Sequence, residues 1–328
     1  MAATGVAADG GTAVADSIRA SGPAGAPKGF ARLGRDGILV MLGLPGLLAL
    51  LAFHYFPLLG NVIAFQDYQP YLGFSGSPWV GVQNFAIIVN GDPEFLSALG
   101  NTLVLTLIQT VFVFPVPLFL ALLLNSLISE RWKRSIQSIL YLPHFLSWVI
   151  VVALFQQMLG NAGILNTFLI QQDLPTVNIV GVPELFKAYI TTQAIWKDAG
   201  WGTIIFLAAV SRVDPNLYES AAVDGAGGMS RLWHITLPSL KGLIILLLIL
   251  RLGSSLTVGF EQIILQQAPV GRGVSEVLDT YVYNNGILGG SWGVATAVGL
   301  AKGVVGVLLV LGANRLAHLF GEPGVYQR

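Results

Sequence analysis

Six long runs of apolar positions, separated by shorter polar segments, set the rhythm of the chain. The runs lack the period-two alternation of barrel strands, and most are long enough to cross a hydrocarbon core of about 30 Å, which takes roughly 20 helical residues. The pattern predicts spans near 37–60, 98–125, 136–159, 188–211, 241–265 and 291–317. Pro115 and Pro117 should kink the second, and "WKDAGW" interrupts the fourth. The expected fold is therefore all-α, a polytopic transmembrane bundle of about six spans.

One polar segment stands apart. Between the fourth and fifth runs, "LYESAAVDGAGGMSRLWHITLP" occupies 217–238. Asp214 and Pro215 make a good helix start, since Asp can accept a hydrogen bond from a free backbone N–H and Pro at the first helical position loses nothing. The helix should reach about Asp224, and Gly225 can take the left-handed conformation that ends it. Gly227 and Gly228 add a corner before "MSRLWHI" resumes helical spacing, and Pro238 opens the next span. Two short helices at an angle should thus project from the membrane, with Leu217, Ala221, Leu232, Trp233 and Ile235 as apolar surface. Such a hairpin either lies on lipid or docks on a partner protein.

Composition agrees with the pattern. The 328 residues are 54% hydrophobic and 10% charged, with a mean hydropathy of +0.71, whereas soluble domains carry about 25% charged residues. Net charge is zero, which gives no footprint for nucleic acid. The absence of cysteine removes disulfides and thiolate metal sites. Residues 1–36, rich in Ala, Gly, Ser and Pro, read as a flexible cytoplasmic tail without a signal peptide. Residues 37–320 form the transmembrane domain, and 321–328 a C-terminal cytoplasmic tail.

Basic residues resist translocation. Arg131, Lys133, Arg134, Arg212, Arg231, Lys241 and Arg315 fall on one side with both tails, against Lys187 and Arg272 on the other. Both termini and the 214–238 elbow are therefore expected in the cytoplasm. The outer loops, near 66–97 and 160–187, are rich in aromatics and turns, as headgroup-belt anchors are.

Glu219, Ser220 and Ala221, then Gly225 and Ile235-Thr236-Leu237-Pro238, resemble the "EAA" signature of membrane subunits of binding-protein-dependent ABC importers. Ser220 departs from the usual second Ala but is also small. The resemblance extends over 37–320: "FHYFPLLGNVIAFQDYQP", "SPWVGVQNF", "NTL", "YLPHFLSWVIV", "WKDAGWGTIIFLAA" and "TYVYNNG" are similar to the oligosaccharide and polysaccharide branch of carbohydrate-uptake permeases, and most like those of alginate importers. The resemblance implies a type I permease fold in the inner membrane. It makes the elbow a coupling helix, with Glu219, Ser220, Ala221, Asp224, Gly225, Ile235, Leu237 and Pro238 meeting an ATPase. Its implied partners are a second related permease, an ATPase homodimer holding ATP and Mg, a periplasmic solute-binding protein and an oligosaccharide, alginate or another acidic glycan among the substrates.

The residues themselves carry no catalytic constellation. There is no phosphate-cradling G-x-x-x-x-G-K-[ST] loop, HExxH helix or nucleophile elbow, and His54, His144, His234 and His318 lack metal-ligand spacing. The chain reads as a transport subunit without its own cofactor, its energy supplied from elsewhere. Charges within spans usually face a cavity or a partner. Lys197 and Asp198 sit between Trp196 and Trp201, either paired with each other or with a partner subunit, or touching ligand. Arg251, ten residues after Lys241, faces either a partner carboxylate or an anionic sugar. A sugar passage needs amides for hydroxyls and aromatic faces for C–H surfaces. Trp148, Gln156, Trp196, Lys197, Trp201, Arg251, Gln262 and Tyr283 are the pathway candidates, with Gln109, Gln157 and Asn161 of the same types. Ala295, Gly299 and Gly303 form a smooth strip for helix approach beside Lys302. The competing reading is a secondary transporter driven by an ion gradient, which should show inverted repeats and a midplane carboxylate relay; neither is evident in the sequence.

Overall fold

The computed structural model describes residues 29–319 with 321, 324 and 325, the side chains of 29–36, 38 and 39 excepted. Residues 1–28 of the expected N-terminal tail, and most of 321–328, lie outside the described residues. Every regular element among those described is helical, apart from one isolated antiparallel bridge between Gln66 and Trp79.

The chain divides into two units at Gly60. In the first, α1 (Gly29–Leu50) passes through a π turn (Leu51–Tyr55) into Phe56–Leu58. Residues 29–36 belong to this helix. Val40, Met41, Phe53 and Phe56 all stand open, as suits a helix whose solvent is hydrocarbon.

The second unit, from Asn61, contains α2 (Pro93–Phe112), α3 (Pro115–Asn125), α4 (Glu130–Tyr141), α5 (Trp148–Leu159), α6 (Ile164–Gln171), α7 (Pro183–Val210), α8 (Pro215–Val223), α9 (Leu237–Gly253) and α10 (Trp292–Leu319). Asp92 caps α2 by accepting from Phe95 N at 3.0 Å, with Pro93 next to it. The expected kink separates α2 from α3, where Pro115 has no N–H to continue the ladder.

Among the described residues, five helical runs are both long and apolar enough to cross a membrane: Val40–Phe65, Pro93–Asn125, Trp148–Gln171, Gly228–Gly253 and Trp292–Leu319. The fourth expected span, α7, is not among them. At 28 residues it is about 42 Å long, but Thr191, Gln193, Lys197 and Asp198 make it less apolar. It can carry them because it is the central helix, with buried positions from Phe186 to Val210. It lies tightly along α3: a Cβ on Gly202 would come within 2.8 Å of Pro117, and one on Gly200 would collide with the Leu140 carbonyl. Only glycine allows this approach.

Two expected spans need correction. The third, placed at 136–159, is broken: amphipathic α4 ends at Tyr141, a tight turn occupies Leu142–Phe145, and the apolar run is α5 with α6. Pro143 lacks the donor that would have joined the pieces. The fifth, placed at 241–265, starts earlier and ends earlier. It is continuous from Gly228, and it stops at Gly253, before a turn leading to the left-handed Gly259 (φ +51°). Arg251 therefore occupies the last turn of α9 rather than its middle.

The core of this unit joins α7 to the irregular 254–285 region. Leu105, Phe186, Ile190, Val258, Ile263 and Val277 pack together. Beside them lies a buried amide network: Gln193 Nε2 donates to Gln266 Oε1 at 3.0 Å, and Gln262 Nε2 donates to Gln193 Oε1 at 2.9 Å and to Ile190 O at 2.7 Å. In hydrocarbon such groups persist only when mutually satisfied.

Candidate functional site

The 214–238 elbow forms largely as its residue types dictate. Asp214 Oδ1 accepts from Asn216 N at 2.9 Å and Pro215 begins α8. The far end closes with Gly225 at φ +79°, where Ala226 N donates to Ala221 O at 2.8 Å and Gly225 N to Ala222 O at 3.1 Å. This double closure satisfies carbonyls that would otherwise point into water, and it requires a residue tolerant of positive φ.

The second arm is not separate from the membrane helix. Gly228–Arg231 runs through a π turn, Leu232–Thr236, directly into α9, with Leu237 N donating to Leu232 O. Pro238 explains the widened turn, because it supplies neither an N–H nor room for the carbonyl four residues back. Tyr218 Oη lies 2.9 Å from Thr236 Oγ1, tying α8 to the base of this run. An aromatic hydroxyl and a threonine 18 positions apart give no local signal in the sequence.

Glu219, Ser220, Asp224, Gly225 and Pro238 are exposed, and Ala221, Ile235 and Leu237 half-buried. Of the expected apolar surface, Leu217 (47%) and Trp233 (62%) stand open, while Ala221, Leu232 and Ile235 are half-covered. Val223 (89%) and Met229 (67%) add to it. Exposed apolar groups on an ordered, capped corner read as an unfilled contact surface.

The pathway candidates do not converge on one place. Trp148, Lys197 and Trp201 gather around the break between α4 and α5. Lys197, 7% exposed, donates through Nζ to His144 O at 2.7 Å and sits 5.5 Å from the centre of the Trp148 ring. His144 stacks on Trp201 at 4.8 Å and 7°, and its Nδ1 lies 3.1 Å from Asp198 Oδ1. Lys197 and Asp198 therefore have different partners and do not form the internal pair that adjacency suggested. His144 faces the middle of α7.

Arg251 donates through Nη2 to Gln109 Oε1 at 2.7 Å. Arg251 and Asp198 line one open cavity of about 350 Å³ whose other walls include Phe114, Gly202, Leu247 and Leu250. A cation and an anion are thus presented on a largely apolar surface. Trp196 packs edge-on against Phe155 at 5.6 Å, and Tyr283 packs against Phe260 at 5.5 Å. Gln262 is 1% exposed within the amide network, closed off in this conformation. Gln156 is exposed at the far end of α5. Lys302 pairs with Asp279, and Ala295 packs against Gly286 within the chain. No group of three or more His, Cys, Asp or Glu able to hold a metal occurs among the described residues.

Residues 113–321 match the family described as "Binding-protein-dependent transport system inner membrane component". The chain is 46% identical over 289 residues to the polygalacturonan/rhamnogalacturonan transport system permease protein YteP of Bacillus subtilis (strain 168), covering 88% of this chain and 90% of that protein. It is 46% identical over 298 residues to protein LplB of the same organism, covering 90% and 93%. Among solved structures, a chain of a bacterial alginate ABC transporter in complex with alginate pentasaccharide-bound periplasmic protein superposes with a TM-score of 0.81 at 36% identity. The match covers 90% of this chain and 99% of that one.

Proposed function

The chain belongs to the family of inner membrane components of binding-protein-dependent transport systems, and on that premise we propose that it is one permease subunit of an ATP-driven ABC importer for oligosaccharides, acidic glycans among them. A periplasmic binding protein would deliver the glycan. A second, related permease would complete the passage, and a homodimeric ATPase would bind ATP and Mg on the cytoplasmic side, where both termini of this chain also lie. Membership of the family makes the chain a transport component rather than an enzyme.

The observation that carries the coupling role is the elbow: an exposed apolar corner whose second arm is one continuous helical run with α9. A push on Val223, Met229 and Trp233 would move α9, and with it Arg251 and its cavity, as a lever. Glu219, Ser220, Ala221, Asp224, Gly225, Ile235, Leu237 and Pro238 are the residues assigned to this contact. The glycan preference draws support from relatives named for polygalacturonan and alginate and from Arg251, a cation open to a cavity. Trp148, Trp196, Lys197, Trp201 and Tyr283 remain assigned to the passage, and Gln262 to a state in which its network opens.

Reconstitution tests the reading. Liposomes holding both permeases and the ATPase should take up galacturonate oligosaccharide only with ATP inside and binding protein outside. Uptake by this chain alone under an ion gradient would replace the proposal with a secondary carrier.

A further inference from the structure

At the end of α7 opposite the elbow, the turn after α5 and the irregular segment 174–182 leading into α7 border an open cleft of about 510 Å³, within the ~300–1,000 Å³ common for small-molecule sites. Its polar lining is supplied by amides: Gln156, Gln157, Asn161 and Asn178, set against Ala153, Val180 and Pro269. No charged side chain lines it.

The frame is built and rigid. Asn166, fully buried, donates through Nδ2 to Gly160 O at 3.1 Å and to Val177 O at 2.8 Å, and accepts from Val177 N at 2.8 Å. It thereby staples the two loops that form the walls. A Cβ on Gly163 would lie 2.8 Å from Gln157 O, so that turn closes only with glycine. Asn178 Oδ1 accepts from Gly181 N at 3.0 Å, which fixes its amide at the mouth. Gln156, Gln157 and Asn161, all exposed, have no hydrogen bond from their side chains among the described residues.

We propose that this amide cleft is a binding site for pyranose hydroxyls, the first place on this chain where an incoming glycan is held; the inference rests on the reading of the chain as a glycan permease. Primary amides both donate and accept, which matches vicinal hydroxyls, and Val180 and Pro269 supply the apolar patch that a sugar ring's C–H face needs. Because the lining is neutral, the cleft recognises the hydroxyl pattern and is indifferent to carboxylates. Selection for charge belongs to the Arg251 cavity, far along the bundle.

The natural absence of cysteine gives a direct test. In the assembled importer with cysteine-free partners, Ala162→Cys places one thiol on the cleft, and Leu174→Cys, exposed and outside the cleft, serves as the control. At ten times its dissociation constant, a galacturonate trisaccharide should slow maleimide labelling of Ala162→Cys about tenfold. A neutral cellotriose should do the same, and Leu174→Cys should be unaffected. Adding Gln156→Leu with Asn161→Leu should weaken binding roughly tenfold through two lost hydrogen bonds, which cuts the protection at the same glycan concentration from about tenfold to about twofold and raises the half-saturating glycan concentration for uptake. Unprotected labelling in a complex whose glycan-stimulated ATPase is intact would overturn the cleft while leaving the importer reading in place. Blocked labelling before any glycan is added would assign the cleft to a partner subunit instead.

Discussion

His144 Nδ1 lies 3.1 Å from Asp198 Oδ1, bridging the break between α4 and α5 to the middle of α7. The same histidine stacks on Trp201, and its carbonyl accepts from Lys197. One residue in a six-residue break thus engages three side chains of the central helix, Lys197 and Trp201 on one face and Asp198 beside it. The pair is partly open to its surroundings, so its strength comes more from the stack and the buried lysine than from charge.

His144→Ala should therefore lower the melting midpoint of the purified complex, with the lost stack alone worth about 1 kcal/mol. Asp198→Asn keeps a hydrogen-bonding oxygen and should cost less. Equal midpoints for the two variants would make the contact to Asp198, and not the ring stack, the principal tie.

At the elbow, Gly225→Val forces a branched residue to φ +79°, a conformation costing roughly 1–2 kcal/mol for residues with a Cβ. The double closure to Ala221 and Ala222 should loosen and the apolar corner change direction. Uptake is expected to drop at least about tenfold, the shift that about 1.4 kcal/mol produces, while ATP hydrolysis continues and binding-protein affinity for glycan stays as it was. Glu219→Lys, which reverses an exposed charge on the same corner, should act in the same sense. Undiminished uptake by both variants would remove the elbow from the coupling path.

How far the sequence reveals this arrangement depends on the range of the forces involved. Asp214, Pro215 and Gly225 declare the first arm of the elbow because capping and positive φ are local requirements. The apolar runs declare most spans for the same reason. The broken third span was hidden because "YLPHFLSW" keeps its hydropathy through the break, so only Pro143 hinted at it. α7 was ambiguous because its polar groups find partners far away in the chain: His144 lies 54 positions from Asp198, and Gln266 lies 73 from Gln193. Gly200 and Gly202 are likewise mute until α3 and Leu140 are placed against them. Residue type gave the pathway candidates, but the placing of Asp198 between the His144 cluster and the Arg251 cavity, with Gln156 apart in the amide cleft, is a property of packing alone.

Arg251 offers the clearest test of charge selection. Its guanidinium spends one donor on Gln109 and shares the cavity with Asp198, leaving donors in a fork suited to a carboxylate. Arg251→Ala should reduce uptake of galacturonate oligosaccharide more than that of a neutral oligosaccharide by at least about tenfold, consistent with losing a charge-assisted hydrogen bond of ~1.5–3 kcal/mol. Arg251→Lys should restore part of the difference. Equal losses for both glycans would mark the residue as a structural partner of Gln109 only.

Glu276 ties stability to pH in an unusual direction. It is 2% exposed, lies outside the apolar spans and accepts from Asn284 Nδ2 at 2.9 Å. Burial pushes its carboxyl above the ordinary range, the Asn284 hydrogen bond opposes this, nearby Glu94 raises it further and Arg272 lowers it. A raised carboxyl keeps its proton in the folded state at pH values where the unfolded chain has lost it. The folded state is therefore favoured at low pH, and this contribution is lost as pH climbs from the ordinary carboxylate value through the raised one, by up to about 1.4 kcal/mol per pH unit. Glu276→Gln, similar in shape but without a proton to lose, should melt higher than the natural chain above that window and approach it below. Coincident melting profiles for the two proteins across the acidic and neutral range would mean that the buried carboxyl costs nothing on ionising, and that water or a partner subunit reaches it in the assembled complex.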